Sequence, residues 1–443
     1  MQTLAAKSDG ISRKLSGALS IVLGLMVFSV FLNYVDRGNL SIAATMIEDE
    51  LHLSPVQLGF LLSSFFWTYG LFQILAGELV DRLNVNWVLA AGFFLWSAAT
   101  GITGLLHGFT ALFMVRLVLG IGESVAYPAY SRILTNYFPL EHRSRANGFI
   151  AAGLAGGPAF GMLAGGILMS RFGWRSFFVV LGVGSLLWLV PWIRWMPRGP
   201  VNTAASAVES PPSTWEILSQ RSAWGTFCAL FCANYVLYLM ITWLPSYLVR
   251  ERHFSLDVMG EIGGAMFTVQ AISAILCGRY GDRWLASGAT STRVRKTFLI
   301  TGLMGCGTLI FLSTQVRPAF CIALLILAGA AMGASSSNFW PATQTLAGPR
   351  ASGRWTGLQC AFANLSGVAA SIVTGYIVKQ TGHFAAAFAV AMGAGLLSAA
   401  CIAFFVGPIE PVVWSGKNIF TEYATVIRGF LTGQRRVFTG RNL

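Results

Sequence analysis

Charged residues are scarce in this chain: 11% of its 443 positions are Asp, Glu, Lys or Arg, against 55% hydrophobic. That ratio excludes a soluble globular domain, whose outside needs roughly twice as many charges. Chemistry-bearing motifs are missing too. The five histidines show no His-x-x-His or His-Glu-x-x-His spacing, and no Gly-x-x-x-x-Gly-Lys-[Ser/Thr] loop occurs, so neither a zinc protease nor an ATP-driven machine is indicated. No His/Asp or Ser/Lys pair sits within the apolar runs, which argues against an intramembrane enzyme. The seven cysteines (Cys228, Cys232, Cys277, Cys306, Cys321, Cys360 and Cys401) all fall inside apolar runs and read as small buried hydrophobes. No metal and no organic cofactor is expected.

What the chain has is length of apolar run. A hydrocarbon core about 30 Å thick takes roughly 20 apolar residues per helix. Such runs lie near 18–46, 55–79, 86–106, 109–136, 147–170, 174–196, 223–249, 258–278, 297–314, 318–345, 355–378 and 384–407. Lipid offers the backbone no hydrogen bonds, so each is expected as an α-helix, giving an all-α membrane protein with 12 transmembrane helices.

The net charge of +13 invites a nucleic-acid reading, but the positions of the charges argue otherwise. With the N-terminus inside, 22 of the 30 Lys and Arg fall in inner loops and tails, six in outer loops, and two, Arg37 and Arg116, within helices. This is the positive-inside pattern, and it places both termini in the cytoplasm, with a bacterial inner membrane as the expected site. No nucleic acid is expected as partner. The segment 197–222, with Pro197, Pro200, Pro211 and Pro212, divides the helices six and six. The expected organisation is a leader over 1–17, a six-helix bundle over 18–196, a cytoplasmic linker over 197–222, a second bundle over 223–407 and a basic tail over 408–443 that meets anionic headgroups.

The two bundles repeat each other. Asn33-Tyr34-Val35 recurs as Asn234-Tyr235-Val236, and Gly77-x-x-x-Asp81-Arg82 as Gly278-x-x-x-Asp282-Arg283, both shifted by 201. Tyr127-Pro128-Ala129 recurs as Trp340-Pro341-Ala342, shifted by 213; Arg145-x-x-Gly148 and Gly166 recur as Arg354-x-x-Gly357 and Gly375, shifted by 209. Matches in constant order, with offsets that drift only at loops, indicate an internal duplication. In that alignment Asp36 and Arg37 face Leu237 and Tyr238, while Arg116 and Glu123 face Gly329 and Ser336. Only the first copy carries intramembrane charge.

Arg116 and Glu123 are two turns apart on one helix face, with Gly120 between them. At about 1.5 Å per residue Arg37 lies roughly 15 Å deep, Glu123 roughly 20 Å and Arg116 roughly 9 Å. Four unpaired charges at such depths would cost about 10 kcal/mol or more. Mutual pairing offsets part of that, yet the second bundle folds without them, so folding alone does not require them. Arginine offers a planar fork that fits a carboxylate. A carboxyl group shut away from water exchanges its proton nearer neutral pH than a solvated one. These are the parts of a proton-coupled anion symporter.

At this point the residues resemble the major facilitator superfamily, from about Ser16 to Trp414. Gly77-Glu-Leu-Val-Asp81-Arg82 is similar to its signature between helices 2 and 3, echoed at Gly278–Arg283, with Asn84 and Asn86 departing from the usual glycine and basic residue. Asn33-Tyr34-x-Asp36-Arg37 and Arg116-x-x-x-Gly120-x-x-Glu123 resemble the anion:cation symporter family within it, which includes hexonate, hexuronate and glucarate permeases. The resemblance implies two pseudo-symmetric six-helix bundles around a central cavity, in a protein expected as a monomer. It implies Glu123 as the principal coupling acid with Asp36 as partner, Arg37 and Arg116 as substrate and relay arginines, and Tyr34 and Tyr69 as wall contacts. It also implies Gly77, Asp81, Arg82, Gly278, Asp282 and Arg283 as gating residues. From the second bundle, Asn234, Tyr238, Ser337, Trp340 and Asn364 offer hydroxyl, amide and aromatic surface for a polyol chain, and the serines fit close helix packing equally well. The expected partners are a small organic anion (most of all a sugar acid), protons and the lipid bilayer. Gly153–Gly166, with Gly157-Pro158 inside it, resembles a fifth-helix motif of exchangers, so an anion exchanger or export permease stands as the alternative.

Overall fold

The computed structural model describes residues 2–138, 140–196 and 212–414. The linker from 197 to 211, the basic tail from 415 and the side chains of the leader lie outside the described residues, as does the Asp81 side chain. Among the described residues the chain is helical, without strands. Ten stretches are long and apolar enough to cross a membrane: Gly17–Ile42 (α1), Val85–Thr103 (α3), Phe109–Leu134 (α4), Gly148–Trp195, Arg221–Thr242 (α7), Leu256–Ala286 (α8), Ser291–Gln315 (α9), Pro318–Gly348 (α10), Arg354–Thr381 (α11) and Ala385–Phe405 (α12). The 48 residues of Gly148–Trp195 would reach about 72 Å as one rod, twice a bilayer. Gly173, at φ 78°, parts them into two crossings, α5 (148–172) and α6 (174–195). Pro55–Arg82 supplies the remaining crossing, α2. Among the described residues this makes twelve membrane-crossing helices.

The duplication is written in the backbone as well as the side chains. Among the described residues, the only non-glycine ones with positive φ are His52 (50°) and His253 (58°), 201 positions apart. Each closes the outer turn after α1 or α7 and is followed by a serine, Ser54 or Ser255, that caps the next helix through its side chain. Gly173 and Gly382 (φ 71°), which break the chain before α6 and α12, are 209 apart. The outer turns are pinned alike. Glu50 accepts from Trp174 Nε1 at 2.8 Å and Arg175 Nη2 at 2.7 Å, while its counterpart Glu251 accepts from the Phe384 backbone N–H at 2.6 Å.

Glycines set how closely these helices approach, because a membrane bundle holds together by packing and polar contacts more than by a hydrophobic drive. Gly153, Gly157, Gly161 and Gly165 form one stripe on α5. A Cβ on Gly157 would stand 2.5 Å from Cβ of Tyr34, and one on Gly153 would stand 2.8 Å from the Val27 carbonyl, so α1 lies directly on the stripe. Two further glycine pairs join the bundles. Gly59 of α2 meets Gly375 of α11, and Gly166 of α5 meets Gly260 of α8; a Cβ on Gly260 would stand 2.8 Å from the Met162 carbonyl. These pairs are images of one another under the duplication, and both lie on the outer side. On the same four helices, the inner glycines Gly77, Gly148 and Gly357 have nothing within 4 Å of an added Cβ, and Gly278 meets only Ser337 of its own bundle. The bundles touch at their outer ends and stand apart at their inner ends.

One expectation is adjusted. The signature, placed between helices 2 and 3 by the resemblance, is itself helical: Gly77–Arg82 lies on the last turns of α2 and Gly278–Arg283 within α8. No proline interrupts either run, and Arg82 pairs with Glu78 one turn back at 2.5 Å, a spacing that supports a helix end. Only the residues from Leu83 onward form the turn.

Candidate functional site

Two helix contacts and one break build the site. On α4, Gly120 presses on α2, where an added Cβ would stand 2.5 Å from the Phe65 carbonyl and 3.1 Å from the Tyr69 nitrogen. Thr68 Oγ1 donates to the Leu117 carbonyl at 2.7 Å across the same contact. The approach brings Phe65 and Tyr69 beside the charged face of α4. On the other side the α5 stripe holds Tyr34 and the rest of α1. Pro128 has no N–H for the Ser124 carbonyl, and the helix breaks at Val125, two residues beyond Glu123. Glu123 therefore stands next to an interruption in its helix.

The four intramembrane charges converge. Arg37 Nε donates to Glu123 Oε2 at 3.2 Å, with side-chain exposures of 7% and 0%. The Arg37 guanidinium is stacked among rings, 4.4 Å from Tyr69, 4.5 Å from Tyr34 and 5.3 Å from Phe65. The Arg116 guanidinium faces the same Phe65 ring at 5.6 Å, so one aromatic face serves both cations. Asp36 is buried and accepts from Asn39 Nδ2 at 3.3 Å. Much of the hydrogen-bonding capacity is unspent: Asp36 Oδ2, Arg37 Nη2, Arg116 Nε and Nη1, Glu123 Oε1 and both polar atoms of Asn33 are buried without a partner. Buried polar atoms are normally satisfied. A cluster of unsatisfied guanidinium donors beside unsatisfied carboxylate acceptors is suited to take an anion on the former and a proton on the latter.

The second bundle meets this cluster through part of its expected set. Tyr238 and Asn364 belong together: the Tyr238 hydroxyl donates to Asn364 Oδ1 at 3.2 Å, and the Tyr238 ring meets Phe66 of α2 edge-on at 4.5 Å. Phe66 also fills the space over Gly367. Since Phe66 is one turn outward of Tyr69, this aromatic contact roofs the site on the outer side. Ser337 lies elsewhere, accepting from Asn338 Nδ2, donating to the Ala334 carbonyl and packing near Gly278. Trp340 is 39% exposed and Asn234 half-buried. Of the gating residues, Arg82 is engaged with Glu78, and Arg283 and Asp282 stand exposed at the inner end of α8.

Three residues escaped the sequence reading. Phe65 lies between the arginines, Asn39 holds Asp36, and Gln73 donates to the Tyr69 hydroxyl at 3.5 Å. Asn39 and Gln73 carried a signal, since each lies three or four residues from a chosen position and so on the same face. Phe65 carried none, in a chain with 32 phenylalanines.

Residues 26–360 match the family model described as Major Facilitator Superfamily. The hexuronate transporter of Bacillus subtilis (strain 168) is 30% identical over 402 residues, covering 88% of this chain and 95% of that protein. The probable galactarate/D-glucarate transporter of the same organism is 29% identical, covering 92% and 97%. A crystal structure of a bacterial homologue of the human lysosomal transporter Spinster, in an inward-facing and unoccupied conformation, superposes with a TM-score of 0.68 over 88% of this chain and 96% of that one. At 18% identity that likeness is one of fold.

Proposed function

This chain belongs to the major facilitator superfamily, and from that premise we propose that it carries an organic carboxylate, most of all a hexuronate or hexarate, together with protons by alternating access. The names of its similar relatives, a hexuronate transporter and a probable galactarate/D-glucarate transporter, support the substrate class. The observation that carries the reading is the buried Arg37–Glu123 contact, with unspent donors on one partner and an unspent acceptor on the other. Tyr34, Tyr69 and Tyr238 lie around Arg37, and Asn364 is bonded to Tyr238; these are the groups that would meet a sugar acid's carboxylate and hydroxyls. Arg116 would hold the shared aromatic face and the second acid.

In this reading a substrate carboxylate takes the Arg37 fork in competition with Glu123. The displaced Glu123 carboxylate, surrounded by apolar helix, keeps the site neutral by holding a proton. Proton and anion then cross as one load, which avoids moving an unpaired charge through the membrane. Asp36, one residue away on α1, is the second proton carrier. The site of action is the bacterial inner membrane.

The test uses purified protein in proteoliposomes with D-glucuronate and D-glucarate. An inward proton gradient should drive accumulation in the wild type. Glu123→Gln should abolish accumulation but retain exchange of labelled for unlabelled substrate. A Glu123→Gln protein that still concentrates substrate against its gradient overturns the coupling role.

A further inference from the structure

The charged cluster and the second bundle are joined by a single file of hydrogen bonds. Tyr238 of α7 donates its O–H to Asn364 Oδ1 of α11 at 3.2 Å. Asn364 Nδ2 donates to Gln73 Oε1 of α2 at 3.3 Å, crossing between bundles. Gln73 Nε2 donates to the Tyr69 hydroxyl at 3.5 Å, and the Tyr69 ring lies against the Arg37 guanidinium at 4.4 Å. Arg37 in turn holds Glu123. Every bond in the file runs the same way, donor on the second-bundle side and acceptor on the Arg37 side. The file therefore leaves the phenolic hydrogen of Tyr69 unused within it, next to a guanidinium that has an unspent Nη2.

Position adds to direction. The other cross-bundle hydrogen bonds among the described residues, Ser41 to the Ile241 carbonyl, Ser170 to Asp257, and Arg250 to Asp49 and the Thr45 carbonyl, lie at the outer surface or just beneath it. On α2 the contacts with the second bundle run inward from Gly59 through Phe66 and Gly70 to Gln73. Beyond it Gly77, one turn further in, meets nothing within 4 Å. Gln73 thus stands where the closed outer half ends and the inner opening begins. An amide can accept from one bundle through its oxygen and donate within the other through its nitrogen at once.

We propose that Gln73 is a positioning residue that couples the two bundles to the anion site, holding the Tyr69 hydroxyl as a donor to the substrate carboxylate only while its own carbonyl is tied to Asn364. This rests on the carboxylate-transport reading above. Opening of the outer face must break the Gln73–Asn364 bond, which frees Gln73 to turn away from Tyr69 and loosens the grip on the anion. Rigid aligned chains of this kind strengthen the terminal donor, so the loss is felt at Tyr69.

The experiment compares wild type, Gln73→Met, Tyr69→Phe and the double variant for exchange of D-glucuronate and D-glucarate in proteoliposomes. Gln73→Met should raise KM about tenfold with maximal exchange within twofold of wild type, Tyr69→Phe should do the same, and the double variant should add no more than about twofold to either. Multiplied losses in the double variant, or an unchanged KM in Gln73→Met, overturn the proposal. A substrate-independent measurement separates it from the transport reading. In a cysteine-free background, spin labels at Leu83→Cys and Ser287→Cys on the inner ends of α2 and α8 should show a new, shorter distance when Gln73→Met is added. An unchanged distance distribution overturns the proposal as well. If the wild type exchanges neither acid, the transport reading fails and Gln73 is judged on the distances alone. Gln73→Leu serves the same comparisons should the methionine variant reconstitute poorly.

Discussion

Arg37 makes the residue-scale case. Its guanidinium spends one nitrogen on Glu123, spreads its flat face over three rings and keeps another nitrogen free. Lysine has the charge but neither the plane nor the fork. Arg37→Lys should therefore raise KM for a sugar acid at least about tenfold, roughly 1.4 kcal/mol of binding, with little change in the melting temperature. Initial-rate uptake with thermal unfolding checks both halves of that statement. The four charges were legible in the sequence because a charge inside an apolar helix is costly and so never incidental. Their aromatic surroundings were not. Nothing distinguishes Phe65 from other membrane phenylalanines until α2 is seen to lie on Gly120. Gln73 was passed over because an amide four residues from a tyrosine fits a packing role as readily as a functional one, and its partner Asn364 is 291 positions away.

Among elements, the paired glycines decide how the bundles meet. A side chain at Gly260 would run into the Met162 carbonyl and Gly166 of α5, so Gly260→Val should hold the outer ends of α5 and α8 apart. We expect turnover to fall at least about tenfold while the purified protein stays folded, because the clash arises between bundles and not within one. Uptake rates and size-exclusion behaviour test this. The outer pins give an element-scale pH dependence. Hydrogen bonds from Arg175, assisted by Trp174, hold the Glu50 carboxyl below its ordinary value of 4.5. A carboxyl lowered in the fold stabilises it above the unfolded value and loses that contribution as pH falls through the folded one. The thermal advantage of wild type over Glu50→Gln should thus be full at pH 7 and shrink on acidification below about pH 4.5; a gap that does not narrow on acidification would contradict it. The sequence showed the glycines and the repeat but not which glycines face each other, since pairing across bundles is a fact of three-dimensional approach. The histidines His52 and His253 recur at the offset of 201 in the sequence, but their shared positive φ is visible only in the backbone.

For the molecule as a whole, closure at one end and separation at the other follow from where polar contacts join the bundles. At the outer surface Arg250 reaches Asp49, Glu48 and the Thr45 carbonyl. Burial pushes the Glu48 carboxyl above its ordinary value, against the pull of Arg250. Removing the arginine should loosen this face. In a cysteine-free background, Arg250→Ala should raise the labelling of a cysteine at Leu62, a buried α2 position one turn out from Phe66, by an external membrane-impermeant maleimide several-fold. Unchanged labelling would mean that the glycine contacts alone keep the outer face shut. The twelve-helix, two-bundle architecture was fully legible, because span length, inner basic loops and repeated motifs are each written along the chain. Which face is closed was not, since both arrangements use the same residues.

Asp49 and Arg250 are separated by 201 positions and are thus the same place in the two copies, brought face to face. Had two identical half-length chains ever assembled as this protein's halves do, that place would have met its own likeness, and like signs repel. The present latch depends on the two copies differing in sign at this one place.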